Sequence, residues 1–384
     1  MRLSSRACGV AESATLRLSL EAARLRAGGA DVIGFLEGEP DLPVADAVLR
    51  ATEAALRAGR TRYSASTGLE ELKAAIVRKL RAENGVAAGL DNIVITNGAK
   101  HAVYETLQVL CDPGDEVLIP SPCWVTFPEA VKLAGATPVF VETNESHQLD
   151  LEAFESAITS KTRAIILNTP NNPTGAVYSE TSLRALLALA IRRDLTVISD
   201  EAYEGLIYDG ARQTSFASLS AEALARTITI QTFSKSFAMT GFRIGYLAAP
   251  ADFVKGVSGV HGHLTGNVCT FAQVGAAAAL ELGSAHRDAW RAAHQERRDL
   301  AFELGSRLFD CAKPQGGLFL FADARRHLGG KHENSAGLAK YLLASARVAV
   351  VPGSAFGREG FLRLSFSAPP AVLREGYARI GKSL

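Results

Sequence analysis

Short apolar runs recur along this chain, with alanine- and leucine-rich stretches between them, and that alternation constrains the fold more than any other feature. The runs are Ile93-Val94-Ile95, Val117-Leu118-Ile119, Val139-Phe140-Val141, Ala164-Ile165-Ile166-Leu167, Val197-Ile198, Ile228-Thr229-Ile230 and Ile244-Gly245-Tyr246-Leu247. A strand that is apolar at nearly every position is buried on both faces, which means a parallel or mostly parallel sheet sandwiched by helices. Between the runs, Leu69, Leu72, Ile76 and Leu80 keep helical spacing, as do Leu183, Leu186, Leu187 and Ala190. The fold class is α/β.

After about residue 285 the texture changes. A charged helical stretch, HRDAWRAAHQERRDLAFELGSRL, leads into alternating strands near Leu318–Phe321, Val348–Val351 and Phe361–Phe366. This pattern predicts a large α/β domain over 40–285 and a smaller α+β domain built from 1–39 plus 286–384, the long helix connecting them. The first forty residues show no strand run of their own and dock on one of these bodies. At roughly 150 residues per domain, 384 residues accommodate this division.

Charge excludes several functions. With 41 Lys+Arg against 40 Asp+Glu, the net charge is +1, too small for a nucleic-acid surface spread over the whole molecule. The stretch from Leu264 to Leu280 is uncharged but interrupted by Thr265, Gly266, Asn267, Thr270 and Gln273, short of a membrane span. The N-terminus lacks an apolar signal core. The five cysteines, Cys8, Cys111, Cys123, Cys269 and Cys311, are scattered with no CxxC, so a zinc ribbon or disulfide framework is not indicated and a cytoplasmic setting is expected.

Ligands of open α/β sheets sit beyond the carboxyl ends of the strands, so the residues after each run carry the functional signal. Thr96-Asn97-Gly98-Ala99-Lys100 opens a helix through about Leu110, where small residues and the helix dipole suit an anion. It is neither GxGxxG nor a P-loop. Asn168-Thr169-Pro170-Asn171-Asn172-Pro173-Thr174-Gly175 fixes an irregular backbone that holds an asparagine amide rigidly; alone it reads as a turn. Ser199-Asp200-Glu201-Ala202-Tyr203 puts a carboxylate at the end of a buried strand, costly unless paired, although a helix N-cap is its ordinary role. In Gln231-Thr232-Phe233-Ser234-Lys235-Ser236-Phe237, a lysine in a hydroxyl-rich loop is ordinarily a solvated surface residue; partial desolvation by the flanking phenylalanines would instead lower its pKa and make it a usable amine nucleophile. Arg243 precedes another run, and Arg363 interrupts the apolar strand Phe361–Phe366, where an arginine is either exposed or placed to grip an oxyanion. His261-Gly262-His263 has strand spacing for a metal, but no acid or thiol in the sequence converges on it.

An amine, a carboxylate, an anion cradle with one arginine and a second arginine are together what pyridoxal 5'-phosphate chemistry on an amino acid requires. Over Gly38 to Arg363 the chain resembles the class I, fold-type I aminotransferases, the aspartate aminotransferase family. Ser234-Lys235-Ser236-Phe237-Ala238-Met239-Thr240-Gly241-Phe242-Arg243-Ile244-Gly245-Tyr246 is the most specific stretch, with Asn171-Asn172-Pro173-Thr174-Gly175 and Ser199–Tyr203 beside it. The resemblance implies that Lys235 carries the cofactor as a Schiff base and shuttles the Cα proton. It assigns Asp200 to the pyridine nitrogen, Tyr203 and Asn172 to the phenolic oxygen, and Trp124 to the ring face. Arg243, Thr232, Ser234 and the Ala99–Lys100 backbone would hold the phosphate. Tyr63 would reach the phosphate of a neighbouring subunit, implying a homodimer with shared sites. Arg363 would bind the substrate α-carboxylate with Asn172 and the Gly38 amide.

Lys100, with Thr15 in Ser13-Ala14-Thr15, would meet a distal carboxylate and so favours an acidic donor of the aspartate or glutamate type, with a 2-oxo acid as acceptor. Glu37 pulls the other way, since a carboxylate before the Gly-Glu-Pro-Asp turn would repel an acidic side chain. Cys123 stands where the family often has tyrosine, and His101 has no assigned role. Two rival functions use the same scaffold: a lyase or cyclase, which needs no oxo-acid acceptor, and an aminotransferase-like ligand-sensing domain, for which the chain leaves little room for an N-terminal DNA-binding module.

Overall fold

The computed structural model describes residues 2–12, 14–330 and 332–384. The strands are β1 (Ile33–Gly34), β2 (Ile93–Thr96), β3 (Glu116–Ser121), β4 (Thr137–Glu142), β5 (Thr162–Asn168), β6 (Thr196–Asp200), β7 (Thr227–Thr232), β8 (Gly245–Ala248), β9 (Asp310–Cys311), β10 (Phe319–Asp323), β11 (Val348–Ala349), β12 (Val351–Pro352) and β13 (Phe361–Ser365). Seven of them form the main sheet in the order β2-β8-β7-β6-β5-β3-β4. Only β8 runs against its neighbours; the pairings among β3 to β7 are parallel.

Alternate residues of each strand feed different cores, as the two-residue period of a strand requires. Ala164 and Ile166 of β5 pack with Val94, Ile119 and Ile198 beneath the helix Ala99–Leu110, while Ile165 and Leu167 face Leu183, Leu186 and Leu187 of the helix Glu180–Arg192. Burial on both faces is why these strands read as continuous apolar runs.

The parallel strands bring Thr96, Ser121, Asn168, Asp200 and Thr232 to one edge of the sheet. Because β8 is antiparallel, its first residue lies at that same edge, with Gly245 opposite both Thr96 and Thr232. Arg243, two residues earlier, is thereby delivered to the mouth of the sheet.

A second sheet, β12-β13-β10-β9, is antiparallel. It packs on the long helix Ser284–Ser306 and the helix Pro370–Ser383 through Trp290, Ala301, Phe319, Leu320, Tyr377 and Ile380, and Tyr203, Leu206 and Tyr208 join the same core. Two expectations differ from the structure. The N-terminal segment does contribute a strand: β1 pairs in parallel with β11, two residues too short to register as an apolar run. The two histidines at 261 and 263 do not have strand spacing either, since they lie in the helix Ala251–Leu264. A helix turns residues two apart onto different faces, so His261 is buried while His263 is exposed. Among the described residues no helix is long and apolar enough to cross a membrane.

Candidate active site

Lys235 sits in the helical turn Phe233–Ser236, capped by Thr232, whose Oγ1 accepts the Ser234 N–H at 3.2 Å. Its Nζ donates to the Gly38 carbonyl at 2.7 Å. Burial lowers the amine to about 8; Glu39 and Asp200 oppose that shift, and the nearby Arg243 and Arg363 reinforce it. The Phe233 and Phe237 rings do not flank the lysine: they pack on each other, 5.4 Å apart, in the core beneath the turn.

Asp200 ends β6 with 2% of its surface exposed. Burial raises its carboxyl to about 7, against the opposing pull of the Ala202 N–H, which donates to Oδ1 at 3.0 Å, and of Lys235. Tyr203 is buried, with its phenol held well above the ordinary range by desolvation and hydrogen-bonded to Asn172. Asn172 is itself fixed: its N–H donates to Asn168 Oδ1 at 2.8 Å, and its Oδ1 accepts from Arg363 Nη1 at 2.9 Å.

Arg363, on β13, is buried, and its second amine nitrogen, Nη2, donates to the Leu36 carbonyl at 2.6 Å. The guanidinium carbon stands 4.0 Å from the Phe319 ring centre and 4.7 Å from that of Phe356. Aromatic faces replace much of the hydration the cation loses. Burial lowers its pKa only to about 10, so it stays charged at neutral pH.

At the other end of the site, Arg243 donates to the carbonyls of Thr240 (2.8 Å) and Asn97 (3.3 Å). Two glycines let this end close. A Cβ on Gly98 would stand 2.7 Å from Arg243 Nη2, and one on Gly245 would stand 2.7 Å from the Gly98 carbonyl carbon and 2.8 Å from the Ala99 nitrogen. The helix Ala99–Leu110 then points its first N–H groups at the space beside the arginine.

Lys235, Asp200, Tyr203, Asn172, Trp124 and Arg243 line one cavity of about 260 Å³, with Ala99, Lys100, Thr232 and Ser234 completing its wall. Gly38 and Arg363 border it through the bonds above. Asn168 and Ala202 also line it and were missed by sequence reasoning. The Asn168↔Asp200 register between β5 and β6 would have pointed to the first. Nothing in the local sequence announces Phe319 and Phe356 as the walls around Arg363.

A larger cavity of about 640 Å³ adjoins it, sharing Lys100 and Arg243, with Ala11, Glu12 and Ala14 of the N-terminal segment on its far wall. Thr15 is half-buried in the first turn of the helix Ala14–Ala27, and Ser13 lies outside the described residues. The Lys100 ammonium is 5.4 Å from the Trp124 ring centre, and burial beside Arg243 lowers its pKa.

Glu37 does not act as expected: it is exposed, and its carboxylate lies back over Gly34, 3.8 Å from where a Cβ on that glycine would stand. Cys123 is buried, with its thiol pushed up to about 12 by desolvation, so it is an inert wall. Tyr63, 96% exposed, stands outside this cavity.

Because the Lys235 amine loses its proton near pH 8 instead of near 10.5, labelling of the cofactor-free protein by a small aldehyde and borohydride should concentrate on this residue. Its rate is expected to rise about tenfold per pH unit below pH 8 and to level off above it. A site-resolved rate, by mass spectrometry, that still climbs through pH 10 would contradict the geometry.

The arrangement defines a pyridoxal-phosphate-dependent aminotransferase: residues 30–380 match the aminotransferase class I and II family, and the chain belongs to it. It is 42% identical to a probable aspartate/prephenate aminotransferase of Aquifex aeolicus, covering 100% of this chain and 98% of the relative. It is 39% identical to the aspartate aminotransferase of Geobacillus stearothermophilus, over 99% and 98% of the two chains. The solved structure of a Thermus thermophilus aspartate aminotransferase with maleate superposes with a TM-score of 0.95 at 37% identity, covering 100% of both. The site suits the cofactor on its own terms. A buried carboxyl raised to about 7 is placed for a cationic ring nitrogen, and the glycine-lined arginine end has no room for side chains but is open to an anion.

Proposed function

We propose that the protein transfers the amino group of an acidic L-amino acid, of the aspartate or glutamate type, to a 2-oxo acid. The observation that carries this reading is a pair of cations: Arg363 beside the cofactor cavity, and Lys100 where that cavity meets the larger one. An amino dicarboxylate has two anionic ends to offer them. The names of the relatives, aspartate and prephenate aminotransferases, and the maleate in the Thermus structure support the same substrate class.

The residues divide the work by position. Arg363 grips the α-carboxylate as a fork, oriented by Asn172 and the Leu36 carbonyl. Lys235 Nζ, steered by the Gly38 carbonyl, takes the proton from the substrate Cα and later returns it. Asp200 would keep a proton on the ring nitrogen, and Tyr203 with Asn172 would hydrogen-bond the phenolic oxygen. Trp124 would cover one face of the ring. Arg243, Thr232, Ser234 and the Ala99 and Lys100 N–H groups, which line the cavity, would hold the phosphate. When bound, the cofactor supplies an electron-accepting ring conjugated to the substrate Cα.

Tyr63, exposed in one chain and outside its cavity, supports a homodimer in which it completes the partner's phosphate site. The two sheets support the division into 40–285 and 1–39 plus 286–384. Five unpaired cysteines support a cytoplasmic setting.

The test is the half-reaction without acceptor, offering L-aspartate, L-glutamate, L-phenylalanine and L-alanine separately. One oxo acid released per site, fastest with the acidic donors, is expected. Sustained turnover without acceptor would move the assignment to a lyase or cyclase. In Lys100→Ala, the ratio of kcat/KM for aspartate to that for alanine should fall at least about tenfold, the value of one charge-assisted contact. An unchanged ratio would remove the acidic assignment.

A further inference from the structure

Beneath the phosphate end lie three titratable side chains that the mechanism above does not use. His101 and Glu105 lie one turn apart on the helix Ala99–Leu110, and His261 comes from the helix Ala251–Leu264. Glu105 and His261 are wholly buried, at 0% exposure. Glu105 Oε1 is 2.8 Å from His261 Nδ1 and 3.3 Å from His101 Nε2, which also lies 3.2 Å from Thr265 Oγ1. One ligand atom from each of the three falls within 4.8 Å of the others, a spacing that suits a metal ion.

The hydrogen bonds argue otherwise. The backbone N–H of Asn97 donates to His101 Nδ1 at 3.2 Å. That places the lone pair on Nδ1 and the ring proton on Nε2, facing Glu105 and Thr265. A nitrogen that carries the proton is not a metal ligand. His101 is therefore a relay between a buried carboxylate and a backbone amide.

The residue that donates it also belongs to the cradle, through its next peptide. The Asn97 carbonyl accepts from Arg243 Nη2, and Asn97 leads directly into Gly98, whose φ of 80° turns the chain into the helix N-terminus. We propose that His101, held in its Nε2–H form by Glu105, which His261 holds in turn, is a positioning residue that fixes Asn97 between its two peptide groups, and through it Arg243 and the Ala99–Lys100 amides, for cofactor phosphate. The proposal rests on the phosphate assignment made above.

It carries a pH dependence. Protonating His101 puts a hydrogen on Nδ1, opposite the Asn97 N–H, so that donor meets donor and the loop is pushed off. The groups facing the ring are Glu105, which opposes loss of the imidazolium proton, and His261, which favours it; burial is the largest influence and keeps the ring neutral. Lys100, Arg243, Glu12, Glu129 and Tyr104 line the same cavity as His101. Cofactor retention should accordingly weaken only as pH falls below the ordinary imidazole value of 6.5.

The experiment measures release of pyridoxal 5'-phosphate from the holoenzyme at pH 8 and pH 5, by absorbance of the small-molecule fraction. His101→Phe, which keeps a flat ring without nitrogen, should release cofactor roughly tenfold faster at pH 8 and lose the difference between the two pH values. His101→Asn, whose amide oxygen can accept from Asn97, should restore part of the retention and also lack the pH response. Glu105→Gln should keep retention at pH 8 within a few-fold but shift the midpoint of the response to lower pH, because the neutral amide no longer favours the imidazolium.

Arg243→Ala separates the two readings. If it leaves release unchanged, the phosphate assignment itself fails. If it speeds release while His101→Phe stays within twofold of the parent at both pH values, the role of His101 is refuted. Should His101→Phe not fold, the pH response of the unaltered holoenzyme against His101→Asn decides the matter. One equivalent of zinc in the purified protein, lost together with cofactor in His261→Ala, would overturn the relay in favour of a metal.

Discussion

Lys235→Ala is expected to lower aminotransferase turnover at least about 10⁴-fold, because it removes the amine that both carries the cofactor and moves the Cα proton. Lys235→Arg should be almost as damaging although it keeps the positive charge. A guanidinium keeps its proton throughout the neutral range and offers no lone pair, whereas the amine here is neutral above about pH 8. Single-turnover conversion of L-aspartate measures the loss. If Lys235→Arg retained activity within tenfold of the parent, Lys235 would be a charge and not a base.

Asp200→Asn should separate activity from stability. Turnover is expected to fall about 10²–10³-fold, since an amide cannot hold a proton on the ring nitrogen. The cofactor-free variant should nevertheless melt higher than the parent at pH 8. The reason is linkage. The folded carboxyl titrates near 7 and the unfolded one near 3.8, so between those values the folded protein binds the extra proton and its stability declines as pH rises. Above pH 7 the parent carries a buried charge at a cost of a few kcal/mol, of the order that such a shift implies, and the asparagine does not. Equal melting temperatures for the two proteins at pH 8, with a gap opening at pH 5, would show the sign to be wrong. A site that holds a destabilising group for the sake of its chemistry is the general pattern of a stability–activity trade.

Much of this could be read in the sequence because strands buried on two faces are nearly continuous in apolar residues, and the residues after each run fall at the functional edge. Asp200 and Lys235 were legible for that reason, as was the asparagine-rich turn after Leu167. What could not be read depends on direction and on distance along the chain. No local signal shows that β8 runs backward, yet that reversal brings Arg243 to the mouth. The carbonyls of Leu36 and Gly38, which accept from Arg363 and Lys235, are backbone atoms that any residue would carry. Glu105 lies on the buried face of its helix, where a pattern-based reading puts only apolar side chains, and its partner His261 is 156 residues away.

In the proposed reading the two ends of the substrate would meet different kinds of scaffold. The group common to every amino acid would be met by Arg363, anchored in the middle of β13 between two aromatic rings and tied to two other segments. The distinguishing side chain would extend toward a wall supplied in part by Ala11, Glu12 and Ala14, which belong to no sheet. Those three residues contribute to no strand and to none of the hydrogen bonds that hold Lys235 and Arg363. The part of the molecule that would choose the donor is thus physically separate from the part that would run the reaction.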